Sequence, residues 1–152
     1  MFTLKSYDAR IFLLASALSA VAGCSTVSAP DTSPRAVVAA KFAAVNRHSV
    51  PDIVNLYSPD AQVTAADFCK PRRGRADVQR TYQYLFDTFP DIVADVHEYV
   101  AEGDRVAVRF TVRSRLPGKT FAVPIMDFFT VRNGMIESDD GIFDTRGRAC
   151  SR

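Results

Sequence analysis

The chain has 152 residues, of which 47% are hydrophobic, and a formal net charge of +2. This length corresponds to one domain with enough chain to bury a core, and the near-neutral charge gives no sign that nucleic acid is a partner. A short basic cluster is interpreted as a solvated loop, because no recognised nucleic-acid-binding motif accompanies it. Its members are Lys70, Arg72, Arg73 and Arg75.

The N-terminal segment predicts export from the cytoplasm. Lys5 and Arg10 precede a mostly apolar run at 11–22, which is too short to cross a bilayer core of about 30 Å as a helix. A positive start followed by such a run is typical of a cleaved signal peptide. The small residues Ala20-Val21-Ala22 fit a cleavage site that would release a soluble, secreted protein.

The end of the apolar run, Val21-Ala22-Gly23-Cys24, resembles the bacterial lipobox. This resemblance implies that residues 1–23 are a lipoprotein signal peptide and that Cys24 is acylated, with palmitate among the chains. Each buried methylene contributes about 0.8 kcal/mol, so two or more chains would hold the protein on its membrane. Ser25 resembles the outer-membrane sorting choice of proteobacterial lipoproteins. We therefore expect membrane lipid as a partner, in the bacterial cell envelope on the periplasmic face of the outer membrane.

Residues 24–34 are small, polar and proline-bearing, which predicts a flexible tether. A helix over about 34–47 follows, because Ser33 is suited to cap its N-terminus and Pro34 to begin it. The apolar stripe of this helix contains Val38, Phe42 and Val45.

Two more helices are predicted before a run of strands. Pro51 begins a short helix that Ser58-Pro59-Asp60 ends, and a strand over 61–66 follows. Gly74 precedes a longer helix that Pro90 ends. The inward positions of these two helices are Ile53, Val54, Tyr57, Val78, Tyr82, Leu85, Phe86 and Phe89.

From residue 92 onward the apolar period changes to two, which is typical of strands. Val106, Val108, Phe110 and Val112 alternate with Arg105, Arg109, Thr111 and Arg113. Turn signals near 103, 117 and 133 divide this part into four long strands. The predicted fold class is α+β, with an antiparallel sheet packed on the N-terminal helices. The domain would span 35–145, and 146–152 would form a C-terminal tail.

Several segments together point to a known family, namely 56–61, 89–92, 101–106 and 127–136. In their order and spacing the chain resembles the SnoaL-like branch of the nuclear-transport-factor-2-like superfamily. This resemblance implies a curved, cystatin-like sheet wrapped around helices into a cone with a cavity, and it implies a homodimer. Because this fold hosts many functions, the site is argued separately.

Residues 119–128 are also similar to a strand of ketosteroid isomerases, which move a proton with an aspartate base beside an oxyanion hole. On this resemblance the oxyanion tyrosine falls on Phe42, the aspartate base on Ala65 and the protonated aspartate on Met126. None of these three side chains can give or take a proton. The isomerase mechanism is therefore not expected.

Two aspartates remain as acid-base candidates. Alternation that places Met126 and Phe128 in the cavity puts Asp127 on the opposite face, whereas a one-residue slip would bring Asp127 inward and raise its pKa. Asp139 shares the face of Phe143. It is interpreted either as a polar group at the cavity wall or as a solvated residue near the cavity mouth.

The remaining polar residues suggest little further chemistry. His97 is interpreted as a surface strand residue, with acid-base work beside a carboxylate as the alternative, and His48 as a loop residue. No metal-ligand spacing or phosphate-binding loop is present, so no metal or cofactor is predicted. Cys69 and Cys150 would form a disulfide after export if the fold brings their Cα atoms within about 7 Å.

Three functions follow from these features. The leading one is a cavity that binds a small apolar ligand without catalysis, and the second is an isomerase, cyclase or hydratase that uses Asp139 or Asp127. The third is an interaction module whose outer sheet face, including Ile125 and Phe129, contacts a second copy or another envelope protein. The predicted cavity residues are Phe42, Ala65, Tyr82, Phe86, Phe110, Val112, Met126, Phe128, Asp139 and Phe143.

Overall fold

The fold is taken from a computed structural model that describes residues 31–150. The predicted signal peptide at 1–23, Cys24 and most of the tether lie outside these described residues, so their assignments stay predictions. Within the described part of the chain, no helix is both long enough and apolar enough to cross a membrane.

Three helices precede or interrupt the sheet: α1 (Pro34–Asn46), α2 (Val50–Asn55) and α3 (Gly74–Thr88). The predicted cap of α1 is confirmed, because the Ser33 side chain accepts a hydrogen bond from the Ala36 amide at 3.4 Å. The predicted helix stop at Ser58-Pro59-Asp60 is wrong. These residues lie in strand β1, where the irregular pairing tolerates a residue without an amide hydrogen.

Six strands form one sheet in the order β2-β1-β6-β5-β4-β3. Their bounds are β1 (Tyr57–Ala65), β2 (Arg72–Arg73), β3 (Val93–Glu102), β4 (Arg105–Ser114), β5 (Phe121–Arg132) and β6 (Met135–Ile142). The four long strands predicted after residue 92 are confirmed, and they pair antiparallel as a meander. Strand β1 joins this meander by pairing parallel with β6. The α+β fold is thus confirmed.

The facing of β5 differs from the prediction. Asp127 pairs with Val108, and directly paired residues share a face of the sheet, so Asp127 lies on the same inner face as the buried Val108. Met126 and Phe128 are each 41% exposed, on the outer face. Ile125 and Phe129 point inward instead, and Phe129 is fully buried. The prediction that Ile125 and Phe129 lie on an outer interaction face is therefore wrong.

The core lies between α1 and the inner face of the sheet. The ring of Phe42 packs edge-on against Phe110 and Phe129, with ring centroids 4.7 and 6.1 Å apart. Edge-to-face packing of this kind adds to the free energy gained from burial. These contacts fix α1 across the sheet and leave a cavity beside it.

A disulfide between Cys69 and Cys150 joins the segment after β1 to the C-terminal tail, with Cα atoms 4.9 Å apart. The distance lies within the range that a disulfide requires. The bond places the tail beside the cavity, where Phe68 and Arg148 are both lining residues.

Candidate functional site

The candidate site is a cavity of about 790 Å³ between α1, α3 and the inner face of the sheet. Of the predicted cavity residues, these line it: Phe42, Ala65, Tyr82, Phe110, Val112, Asp139 and Phe143. Met126 and Phe128 do not, because β5 turns them outward. Phe86 is also not a lining residue. It is buried under the ring of His48, which stacks on it at a centroid distance of 4.6 Å.

A cluster of charged and phenolic groups lies at the wall of this apolar cavity, and Lys41, Asp127 and Asp139 line it. The Lys41 ammonium lies 3.6 Å from Asp127 Oδ2 and 3.7 Å from Asp139 Oδ2. The Tyr57 hydroxyl donates a hydrogen bond of 2.5 Å to Asp139 Oδ2. All four side chains are buried. A single ammonium group therefore faces two carboxyl groups in a medium that screens charge poorly.

Separate elements supply the members of this cluster. Lys41 comes from α1, Tyr57 from the first residue of β1, Asp127 from β5 and Asp139 from β6. Tyr82, on α3, is half-buried, and its ring centroid lies 5.9 Å from the Lys41 nitrogen. The expectation that Asp127 faces away from the cavity is wrong, because the cross-strand pairing with β4 sets its face.

Sequence reasoning missed Lys41, although a signal was present. Lys41 lies three residues after Val38 and four before Val45, on the stripe that buries α1. A lysine at such a position is almost never fully buried without a partner. Its nitrogen lies 4.4 Å from the Phe42 ring centroid and 4.9 Å from that of Phe129. A lysine inside an apolar stripe indicates a buried carboxylate elsewhere in the fold.

The raised pKa of the Asp127 carboxyl makes Asp127 the main acid-base candidate of the cluster. Burial raises the pKa of its carboxyl to about 7, the nearby charge of Asp139 adds to the rise, and Lys41 opposes it. A carboxyl with this pKa is present in both protonation states near neutral pH. It is therefore suited to act as a general acid or a general base.

Lys41 and the tyrosines remain protonated under the same conditions. Burial lowers the pKa of the Lys41 ammonium, but the charges of Asp139, Tyr82 and Asp127 outweigh burial, so the net direction is upward. Burial also raises the pKa of Tyr57 well above its ordinary value, and Asp139 adds to this rise. An amine that stays protonated is not a nucleophile, so the cluster does not favour Schiff-base chemistry at Lys41.

The other sequence-predicted candidates lie away from the cluster. His97 is exposed, and its Nε2 lies 2.9 Å from the Thr111 hydroxyl. His48 is bonded to the Ile92 carbonyl at 2.8 Å. Among residues 31–150, no group of three or more His, Cys, Asp or Glu side chains is arranged to hold a metal ion.

The fold and the site define a cone-shaped α+β domain whose apolar cavity contains a buried acid-base cluster. The chain belongs to the family of SnoaL-like domains, whose sequence profile matches residues 38–138. Among curated proteins, none matches the chain significantly.

Solved structures with the same fold include two forms of IdmH and the protein TerC. The 96–104 loop truncation variant of IdmH is 26% identical, with a TM-score of 0.66, and the match covers 74% of this chain and 94% of that one. Wild-type IdmH from Streptomyces antibioticus, a candidate polyketide cyclase, is 24% identical over 75% of this chain and 94% of that one, with a TM-score of 0.64. TerC, crystallised with polyporic acid, is 20% identical over 74% and 92%, with a TM-score of 0.67. At identities below 25% the likeness concerns the fold alone.

Proposed function

We propose that the domain is an acid-base enzyme of the isomerase, cyclase or hydratase type, acting on a small, largely apolar substrate with a carbonyl group. The observation that carries this proposal is Asp127, a buried carboxyl group at the cavity wall whose pKa is raised to about 7. Strongly raised pKa values of buried carboxyl groups in clefts are concentrated at functional sites, so the raised pKa of Asp127 beside a cavity favours catalysis. This proposal replaces ligand binding without catalysis as the leading function.

The surroundings of Asp127 suit proton transfer beside a carbonyl. Asp127 would take or give the proton. The buried Lys41 ammonium beside Asp127 supplies a positive charge and N–H donors. The half-buried Tyr82, whose ring lies 5.9 Å from the Lys41 nitrogen, supplies a hydroxyl donor. Fixed donors in a medium of low polarity stabilise the negative charge that develops on a carbonyl oxygen. Phe42 and Phe110 supply apolar walls against which the body of a substrate would pack.

A proton-exchange measurement tests the proposal. The purified protein is incubated in D₂O with a panel of apolar cyclic ketones and diketones, and deuterium uptake at the carbon beside the carbonyl is followed by NMR. We expect catalysed exchange that falls about 100-fold or more in Asp127→Asn, which is the scale of general acid-base contributions. Asp87→Asn is the matched control, because Asp87 is exposed on α3 and is not a cavity residue. Equal exchange in both variants would contradict the proposal.

Ligand binding without turnover is the second candidate function. Two observations favour it: Phe42 and Ala65, which line the cavity, cannot transfer protons, and Lys41, Tyr57 and Asp139 already satisfy one another. The same panel separates the two functions. A ketone that raises the melting temperature without any deuterium uptake would favour binding alone.

We also propose that the domain works at a membrane surface, anchored through Cys24. Support comes from the lipobox-like segment ending at this residue. Metabolic labelling with a palmitate analogue tests it. The wild type is expected to carry the label and to sediment with outer membranes, whereas Cys24→Ser should carry none. An unlabelled wild type would favour the secreted form.

A further inference from the structure

Two sets of charged groups line the cavity, one rich in carboxyl groups and one rich in guanidinium groups. At the buried end, Lys41 faces the carboxyl groups of Asp127 and Asp139. Besides this cluster, the lining contains three guanidinium groups and one carboxyl group, here called the rim, of which Arg80 and Arg148 are exposed while Arg72 and Asp67 are half-buried. Asp77 pairs with Arg80, so three guanidinium groups stand against the two carboxyl groups of Asp67 and Asp77, and the remaining positive charge attracts anions.

Each rim arginine comes from a different part of the chain. The Arg72 guanidinium carbon lies 4.6 Å from the Phe68 ring centroid, so Arg72 is held over an aromatic face. Arg80 extends from α3 and forms an exposed ion pair with Asp77. The Nε of Arg148 donates to the Thr145 carbonyl at 3.1 Å, which engages one of the five N–H donors of its guanidinium.

The disulfide completes this rim. Cys69 directly follows Phe68, and Cys150 lies two residues after Arg148. Residues 143–150 contain no helix or strand, so the covalent link is what fastens the end of the tail beside the segment after β1. Without it, the tail would gain conformational freedom and Arg148 would no longer be held at the cavity.

We propose that the preferred ligand is an apolar molecule with one anionic group, such as a carboxylate, which the disulfide-fastened arginine rim binds while the apolar body enters the cavity. The inference rests on the proposed function, in which the cavity binds the substrate, and it specifies the class of that substrate. Guanidinium groups bind carboxylates with paired hydrogen bonds. At the buried end the Lys41 ammonium is already paired with the carboxyl groups of Asp127 and Asp139, so the anionic group of the ligand stays at the rim, where guanidinium groups are present.

A matched pair of fluorescent probes tests the proposal on the purified, oxidised protein. Anilinonaphthalene sulfonate and N-phenyl naphthylamine share their aromatic body, but only the first carries an anionic group. We expect the sulfonate probe to bind more tightly, and Arg148→Gln to weaken it about fivefold, the upper range for an exposed charge contact, without changing the affinity of the neutral probe. Arg146→Gln is the control, because Arg146 lies in the same tail but not at the cavity.

The disulfide has its own test. The double variant Cys69→Ser, Cys150→Ser should lose the preference for the sulfonate probe to the same extent as Arg148→Gln, and a circular dichroism spectrum checks that it is folded. Equal affinities of the two probes for the wild type would overturn the proposal, as would equal effects of Arg148→Gln on both probes. Binding of neither probe would overturn it as well.

The test also separates this inference from the proposed catalysis. Deuterium uptake by the wild type without a preference for the anionic probe would remove the rim proposal alone. A preference for the anionic probe without any deuterium uptake would remove the catalytic proposal alone.

Discussion

Asp127 and Gly141 face each other across the ladder between β5 and β6, and the absent side chain of Gly141 makes room for the Asp127 carboxyl group. A Cβ atom at residue 141 would lie 2.9 Å from Asp127 Oδ1, which is closer than real contacts of this kind. Gly141 also pairs with Ala65 on its other side, so the space is bounded by small residues. The acid-base group of the cavity thus depends on a glycine in the neighbouring strand.

Gly141→Ala should displace the Asp127 carboxyl group without unfolding the protein, because the closest atom is the end of a side chain and not backbone. We expect slower proton exchange with apolar ketones and a change in its pH midpoint, since the distance from Asp127 to Lys41 changes. Ser138→Ala, on the same strand but not at the cavity, is the control. Unchanged exchange in Gly141→Ala would contradict the positioning role.

The stability of the protein should fall between about pH 4 and pH 7 because of Asp127. The folded-state pKa of about 7 lies above the ordinary value of 3.8, so the folded state holds a proton that the unfolded state has released in this range. The stabilisation by Asp127 is complete below the ordinary pKa of 3.8 and is lost as the pH rises through the folded-state pKa of about 7. Between these values the free energy of unfolding falls by roughly 1 kcal/mol per pH unit. Urea unfolding at several pH values measures it. Asp127→Asn should remove this part of the slope, and an unchanged slope would contradict the assignment.

Lys41→Met should destabilise the fold more at pH 8 than at pH 5. Removal of the ammonium leaves Asp127 and Asp139 buried without their cation, and breaking a buried pair on one side costs about 3–5 kcal/mol. Protonation of the carboxyl groups at lower pH relieves part of this cost. Urea unfolding at both pH values measures the difference, with the exposed Lys70→Met as the control. A cost that is equal at both pH values would argue against the charge cluster.

Tyr57→Phe should lower the free energy of unfolding by about 1–3 kcal/mol, because the buried Asp139 oxygen loses its hydrogen-bond donor. The ring itself stays, so no cavity forms. Tyr84→Phe is the matched control, since Tyr84 is 72% exposed and loses no buried partner. Similar unfolding midpoints for the two variants would show that the Tyr57 bond contributes little.

Much of the fold could be predicted from the sequence because local signals were unambiguous. Ser33 and Pro34 mark the beginning of α1, and in β4 the large apolar residues alternate with arginine, threonine or alanine. The facing of β5 could not be predicted in the same way. Both of its faces are apolar: Met126 and Phe128 lie on one, Ile125 and Phe129 on the other, so hydrophobicity does not choose between them. The pairing with β4 decides it.

The sequence by itself determined the family, the order of the helices and long strands, and the likeness of the N-terminus to an export signal. Only the tertiary structure decided that Lys41, Asp127 and Asp139, which are far apart in the chain, meet in one cavity. The reason is physical. Helix and strand periods place a residue on a face of its own element, whereas the charge and pKa of a buried group depend on which faces are packed together.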